Sequence, residues 1–328
     1  MLLERSVVSN VKDFLNGYSG RCKFYDHARI NPRQRQVNSP IIQFYSSINN
    51  IGNFLPVLGI SKMLGQTADT WCMHDKEVDF DFVNANYKCA IIGGAGLFHR
   101  CFDHFWQRLL QECKVPVIIW GVGTCFPDDE EVRGVDPKIM AEVAKRCDLI
   151  NVRDELTANY YNLENVSITA CPTIVYLQDF KKSVNKNSKA VLFSSHVELV
   201  SDTESEEIQA ATSKIAEEFK YTNNLQRRFT PLNGIIANSY CQSRVVVTTR
   251  LHGAIIAYGL GIPYIMIPRD EKLRAFHGRY GNGININSAD DIEAALKVAH
   301  LSITKPIEIE PVLDFGVQAR NWVRSHCN

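Results

Sequence analysis

Residues 245–260 read VVVTTRLHGAIIAYGL, and the fold follows from that passage. Val245, Val246, Val247, Thr248 and Thr249 are all β-branched, the composition of a buried strand. A helical pattern runs from Ala254 to Leu260, so strand, turn and helix succeed one another without a loop. Such a unit places side chains at the carboxyl end of a sheet, where open α/β sheets bind ligands. Arg250 leaves the strand tip as a bidentate cation suited to carboxylate or phosphate. His252 stands at the helix start, a titratable group beside an anion-attracting end. Gly253 removes a side chain that would block a ligand or the neighbouring strand. The spacing fits a second account equally well, in which Arg250 and His252 only cap a buried helix end.

Outward from this passage the same alternation recurs. Strands are expected over residues 41–45, 89–92, 115–120, 149–152 and 166–169, with helices near 54–64, 103–113, 137–147 and 155–161. That is a series of βαβ units building a mostly parallel sheet. Residues 179–189, DFKKSVNKNSK, are polar and basic and read as a linker. The alternation then restarts with strands at 190–194, 244–249 and 263–267. Helices are expected at 204–220, 232–241, 254–260 and 289–300, the first of them acidic with a solvated face. At 328 residues the chain exceeds what one core usually serves. The expectation is an N-terminal domain over 1–178 and a C-terminal domain over 190–328, the last helix (312–324) packing back on the first. Both would be doubly wound α/β domains facing each other across a cleft, the default place for a ligand.

Hydrophobic residues make up 45% of the chain and charged ones 22%, an ordinary soluble composition. Lys plus Arg and Asp plus Glu each number 36, so no global field favours nucleic acid or an anionic membrane. Any anion site must be local. The ten cysteines form no CxxC pair and read as buried free thiols of a reducing compartment. The first residues, MLLER, lack an apolar leader core, and no apolar run approaches a membrane span. A cytoplasmic protein without transmembrane segment is expected.

Residues 91–100, IIGGAGLFHR, follow an expected strand. Gly93, Gly94 and Gly96 there bare backbone N–H groups that suit an anion nest, or simply a tight strand-to-helix turn. The spacing is neither GxGxxG nor a P-loop, which argues against a dinucleotide. His99 and His104 are close enough in sequence to enter the cleft from here. WGVGT at 120–124 repeats the pattern one strand later as a second wall. NVRD at 151–154 ends another strand, with Arg153 duplicating the position of Arg250 and Asp154 placed to cap the next helix. Beyond the strand at 263–267, Arg269 and Lys272 are positioned to face the same anion as Arg250, while Arg274 and Arg279 suit a solvated helix face. No metal site is expected: HExxH and paired Cys/His spacings are absent, and Asp79-Phe80-Asp81 is the nearest acidic cluster. GxSxG is absent too.

Taken together, IIGGAGL at 91–97, NVRD at 151–154, VVVTTRLHGAIIAYGLGIP at 245–263 and Lys272 resemble the polysaccharide pyruvyl transferase family. Asn50-Ile51-Gly52-Asn53 is similar to the family's early Asn-Gly-Asp element, with Asn53 in the place of Asp. Cys171-Pro172 likewise stands where Asp-Pro is usual. The resemblance implies two Rossmann-like domains of GT-B type. It also implies transfer of pyruvate from phosphoenolpyruvate to a sugar diol, as a cyclic ketal, without a cofactor. His252 would be the general acid/base, with Arg250 and Arg153 clamping phosphoenolpyruvate and Lys272 and Arg269 assisting. Gly93, Gly94, Gly96 and Leu251 would line the pocket, and Asn53 with His99 would lie toward a polymeric or lipid-linked sugar acceptor. Two other functions share the fold: a sugar-nucleotide glycosyltransferase and a non-catalytic glycan-binding relative.

Overall fold

The computed structural model describes residues 24–124, 134–227, 229–303 and 305–327. The amino-terminal stretch, Cys22 and Cys125 lie outside the described residues. Two wholly parallel sheets organise the chain. The first contains β1 (Ile41–Tyr45), β2 (Asp69–Cys72), β3 (Cys89–Gly93), β4 (Val117–Val122), β5 (Leu149–Val152) and β6 (Ser167–Ile168), in the order β2-β1-β3-β4-β5-β6. The second contains β7 (Ala190–Ser194), β8 (Glu218–Thr222), β9 (Val245–Thr248), β10 (Tyr264–Met266) and β11 (Gly283–Asn285), in the order β11-β10-β9-β7-β8. In each sheet the strand order reverses beside the first strand, between β1 and β3 and between β7 and β9. Those two places are where such sheets open a crevice.

Helices α1 (Ile51–Leu64), α2 (Phe80–Asn86), α3 (Asp103–Glu112), α4 (Pro137–Arg146), α5 (Glu155–Tyr160) and α6 (Thr173–Leu177) accompany the first sheet. The second has α7 (Asp202–Ile215), α8 (Leu232–Ile235), α9 (Leu251–Leu260), α10 (Glu271–Tyr280) and α11 (Ile292–Val298), and α12 (Glu310–Cys327) follows it. The acidic helix expected to reach Lys220 stops at Ile215, and β8 takes up the remainder. Phe219, Tyr221 and Thr222 favour a strand, and pairing with β7 outweighs the local charge pattern. The short strands β2 and β11 escape a periodicity reading because four and three residues are too few to show a period. The expected helix 232–241 divides into α8 and a π turn over Ile236–Tyr240.

The lobes share an apolar seam. Every residue of α9 is buried, and α1 is buried on nearly all sides, as their uniformly apolar sequences require. At Gly59 a Cβ would stand 2.0 Å from the Pro172 carbonyl oxygen, so α1 lies almost on the backbone before α6. Hydrogen bonds close one edge of the seam, Ile51 N to Asn224 O at 2.9 Å and Gln226 N to Asn49 O at 2.7 Å. Arg279, expected on a solvated face, instead pairs with Glu155 of the first lobe. Helix α12 lies on the first lobe, with Phe315 edge-on to Trp120 at 5.4 Å and Arg320 Nε donating to Met63 O at 3.0 Å. Among the described residues no helix is long and apolar enough to cross a membrane.

Candidate active site

A cavity of about 310 Å³ opens between the carboxyl ends of the two sheets. Ser46 follows β1, His74 follows β2, Gly96 follows β3 and Arg153 follows β5 along one wall. His196 follows β7, Arg250 follows β9 and Lys272 lies beyond β10 along the other. Strand tips from both sides of both switch points therefore meet in one space.

Arg250 is the N-cap residue of α9, yet its side chain makes no capping bond. Thr248 does the local work: its Oγ1 accepts from Arg250 N at 2.9 Å and approaches Arg250 O and Ser194 O. The guanidinium is thus free of helix duties. Arg250 is 3% exposed, and its Nε and Nη1 are buried without a partner among the described residues. Burial lowers its proton affinity, opposed by nearby tyrosine and acidic groups. Gly253 belongs to the strand side of its expected role, since a Cβ there would stand 2.2 Å from Thr248 Oγ1.

His252, in the first turn of α9, reaches across the seam and seats its ring against Gly52 of α1. A Cβ at Gly52 would lie 2.5 Å from the imidazole, so no larger residue fits. Burial first, then Arg153, Arg250, Lys272 and His196, hold His252 well below the usual imidazole range. The neutral form is favoured, and among the described residues its buried Nε2 has no partner. Arg153 is placed from the first lobe. Its Nε donates to Asp154 Oδ2 at 3.2 Å and its Nη2 to Thr124 O at 3.1 Å. Asp154 also caps α5 by accepting from Thr157 N at 2.8 Å. Gly123 backs the guanidinium, where a Cβ would fall 2.3 Å from Arg153 Nε. Lys272 Nζ pairs with Asp270 at 2.8 Å.

Of the residues singled out in the sequence, Arg250, Leu251, His252, Arg153, Lys272, Asn53, His99 and Gly96 line this cavity. Gly93 and Gly94 do not. Gly93 lies against Gln43 and Ile60, and Gly94, at φ +78°, faces Pro56 with no room for a Cβ. Their smallness lets β3 approach α1, a packing reason and not a ligand one. Arg269 does not line it either: its Nε donates to Glu204 of α7 at 2.6 Å. His104 pairs with Glu77 at the surface at 2.8 Å. Cys171 is buried, its thiol approaching Thr173 Oγ1 at 3.3 Å. Cys101, in contrast to the buried Cys72, Cys89, Cys113 and Cys241, is exposed and lines the cavity. Asn50, the first residue of the element at 50–53, lines it as well, and His196, His74, Ser46, Phe102 and Glu198 do so without having been singled out. The strand-tip rule, applied to Ser195-His196 after β7, would have pointed to His196.

Fold and site together define a class: a two-lobed, Rossmann-like protein of GT-B type with a cationic cleft. The polysaccharide pyruvyl transferase family profile matches residues 10–271. The chain belongs to the polysaccharide pyruvyl transferase family, and so to transferases that act in polysaccharide biosynthesis. Solved structures share the fold at low identity. MnaA of S. aureus, solved with UDP, is 10% identical over 88% of this chain and 96% of its own, with TM-score 0.57. An uncharacterized protein of Klebsiella pneumoniae is 16% identical over 88% and 99%, with TM-score 0.51. The UDP-GlcNAc 2-epimerase of Neisseria meningitidis, bound to UDP-GlcNAc, is 10% identical over 85% and 98%, with TM-score 0.51. No curated protein matches the chain.

Proposed function

We propose that the chain transfers pyruvate from phosphoenolpyruvate to two hydroxyls of a sugar acceptor, forming a cyclic ketal and releasing phosphate. The acceptor is polymeric or lipid-linked, the setting is the cytoplasm, and no resident cofactor takes part. One observation carries this reading. Arg250 Nε and Nη1 and His252 Nε2 are buried, unpartnered and on residues of one cavity. Buried polar groups without partners are costly; a compact anion satisfies the two Arg250 N–H groups, and a sugar hydroxyl donating to His252 Nε2 satisfies that lone pair. Arg250 with Lys272 takes the phosphate, and Arg153 takes the carboxylate.

The chemistry balances without an oxidant. One hydroxyl adds to C2 of the enol while C3 gains a proton. The C2–O bond to phosphate then breaks with its electron pair leaving on phosphate, and the second hydroxyl closes the ring. Of the two hydroxyl protons, one ends on the new methyl group and the other on phosphate. Neutral His252 accepts a hydroxyl proton, and the bound anion beside it raises its basicity for that task. Such a base contributes about 10²–10⁴ in rate. Asn53, His99 and Ser46 on the first-lobe wall face the acceptor.

The test is phosphate release from phosphoenolpyruvate in the presence of a sugar acceptor, comparing the wild type with His252→Ala. The expected result is a loss of about 10²-fold or more in kcat. Near-normal turnover by a folded variant removes His252 from the mechanism. A melting temperature raised by a nucleotide sugar but not by phosphoenolpyruvate would replace the reading with glycosyl transfer.

A further inference from the structure

We infer that His196 is a permanently neutral hydrogen-bond donor to the phosphate of the donor substrate, which leaves His252 as the proton carrier of the site. This rests on the phosphoenolpyruvate reading and assigns a further residue to it.

His196 follows β7 at the switch point, beside the strand that carries Arg250. Two bonds fix it. Its backbone N–H donates to Thr249 Oγ1 at 2.9 Å, and its Nδ1 accepts from the backbone N–H of Glu198 at 3.3 Å. A backbone amide can only donate, so Nδ1 must present its lone pair and the ring proton must sit on Nε2. Adding a proton to Nδ1 would set one N–H against another. His196 is 8% exposed and lines the cavity.

The charges around it agree. Arg250, Lys272 and His252 stand on the anion side, and Glu198 and the first lobe's His74 line the same cavity. Burial first, then Arg250 and Lys272, push His196 down to about 2. Phosphate binding offsets the two cations, but it does not remove the N–H of Glu198 from Nδ1. A neutral donor of fixed tautomer strengthens its bond as negative charge grows on the departing phosphate, and needs no proton transfer to do so. His252 is held differently: among the described residues its buried Nε2 has no partner, and no backbone N–H meets its ring to fix the tautomer as that of Glu198 does for His196.

The experiment is ¹⁵N NMR of the imidazoles in the wild-type protein, with inorganic phosphate as the probe, followed by kinetics of variants. From about pH 5.5 to about pH 8.5 His196 should show the neutral Nε2–H form, and phosphate should shift its Nε2–H resonance. In kinetics His196→Ala should lower kcat/KM about 10²-fold, while His196→Gln, which keeps an N–H donor, should lose about 10-fold or less. Both should retain the wild-type pH profile. The inference is overturned by a protonated His196 in that window, by an Nε2–H indifferent to phosphate, or by a pH limb lost in His196→Gln. Wild-type protein that binds phosphate at His196 yet neither binds nor turns over phosphoenolpyruvate would sink the donor assignment instead. The spectrum needs no variant, so a misfolded substitution cannot blur the outcome.

Discussion

Arg153 and Arg250 occupy matching places, each just past a strand and each facing the same cavity, yet they live under different conditions. Arg153 is followed by Asp154, which takes its Nε at 3.2 Å. Arg250 is followed by Leu251 and His252, and its Nε and Nη1 have no acceptor among the described residues. The neighbour in sequence decides whether a strand-tip arginine is completed by its own chain or stays open to a ligand. The first lobe thus offers a braced cation and the second an unsatisfied one.

Replacing each arginine by Met should break the symmetry most sharply. Arg250→Met should lower kcat/KM by about 10³-fold while leaving the empty protein as stable or more so, because an uncompensated buried charge is gone. Arg153→Met should cost both activity and stability, since Asp154 loses its partner. Calorimetry beside phosphate-release assays checks this, and a similar stability change in both variants would erase the distinction.

Gly123→Ala probes the brace itself. Its Cβ would arrive 2.3 Å from Arg153 Nε and displace the guanidinium. A shift of about 1 Å corresponds to about 10²-fold in turnover, with phosphate binding at Arg250 preserved. Equilibrium titration with phosphate separates the two effects.

A smaller effect comes from pH. His252 and His196 stay neutral in the fold, whereas in the unfolded chain they take up protons below about pH 6.5. The unfolded state then binds more protons, so stability is full above that pH and declines as pH falls below it. The slope is about 1.4 kcal/mol per pH unit for each histidine. Denaturant titrations at several pH values should show His252→Gln losing part of this slope, and phosphate should reduce it in the wild type. The smallest change belongs to Arg269→Ala. Its partner Glu204 and its own side chain are both about one-quarter exposed, so stability should fall by less than about 1 kcal/mol and activity should not move. A large loss of turnover there would return Arg269 to the pocket.

Much of the architecture was legible because strands such as VVVT and CAIIG are buried on both faces and read as continuous apolar runs. The edge strand EFKYT carries charge in its pattern, and its first three residues read as the end of a helix. For the cleft, the strand-tip rule brought forward Arg153, Arg250 and His252 because each ends an apolar run. His196 ends one too, but the polar Ser194-Ser195 before it blurred the boundary. Gly93 and Gly94 misled for a simple reason. A glycine cluster looks the same in sequence whether a ligand or Pro56 occupies the space beside it.

Helix α12 has a consequence for how the protein comes into being. It is translated after the whole second sheet, yet Phe315 and Arg320 cover Trp120 and Met63 in the first half of the chain. The half that leaves the ribosome first therefore keeps a bare apolar flank until residues beyond 310 emerge. The order of synthesis and the order of completion run in opposite directions, and maturation of the early half waits on the late one.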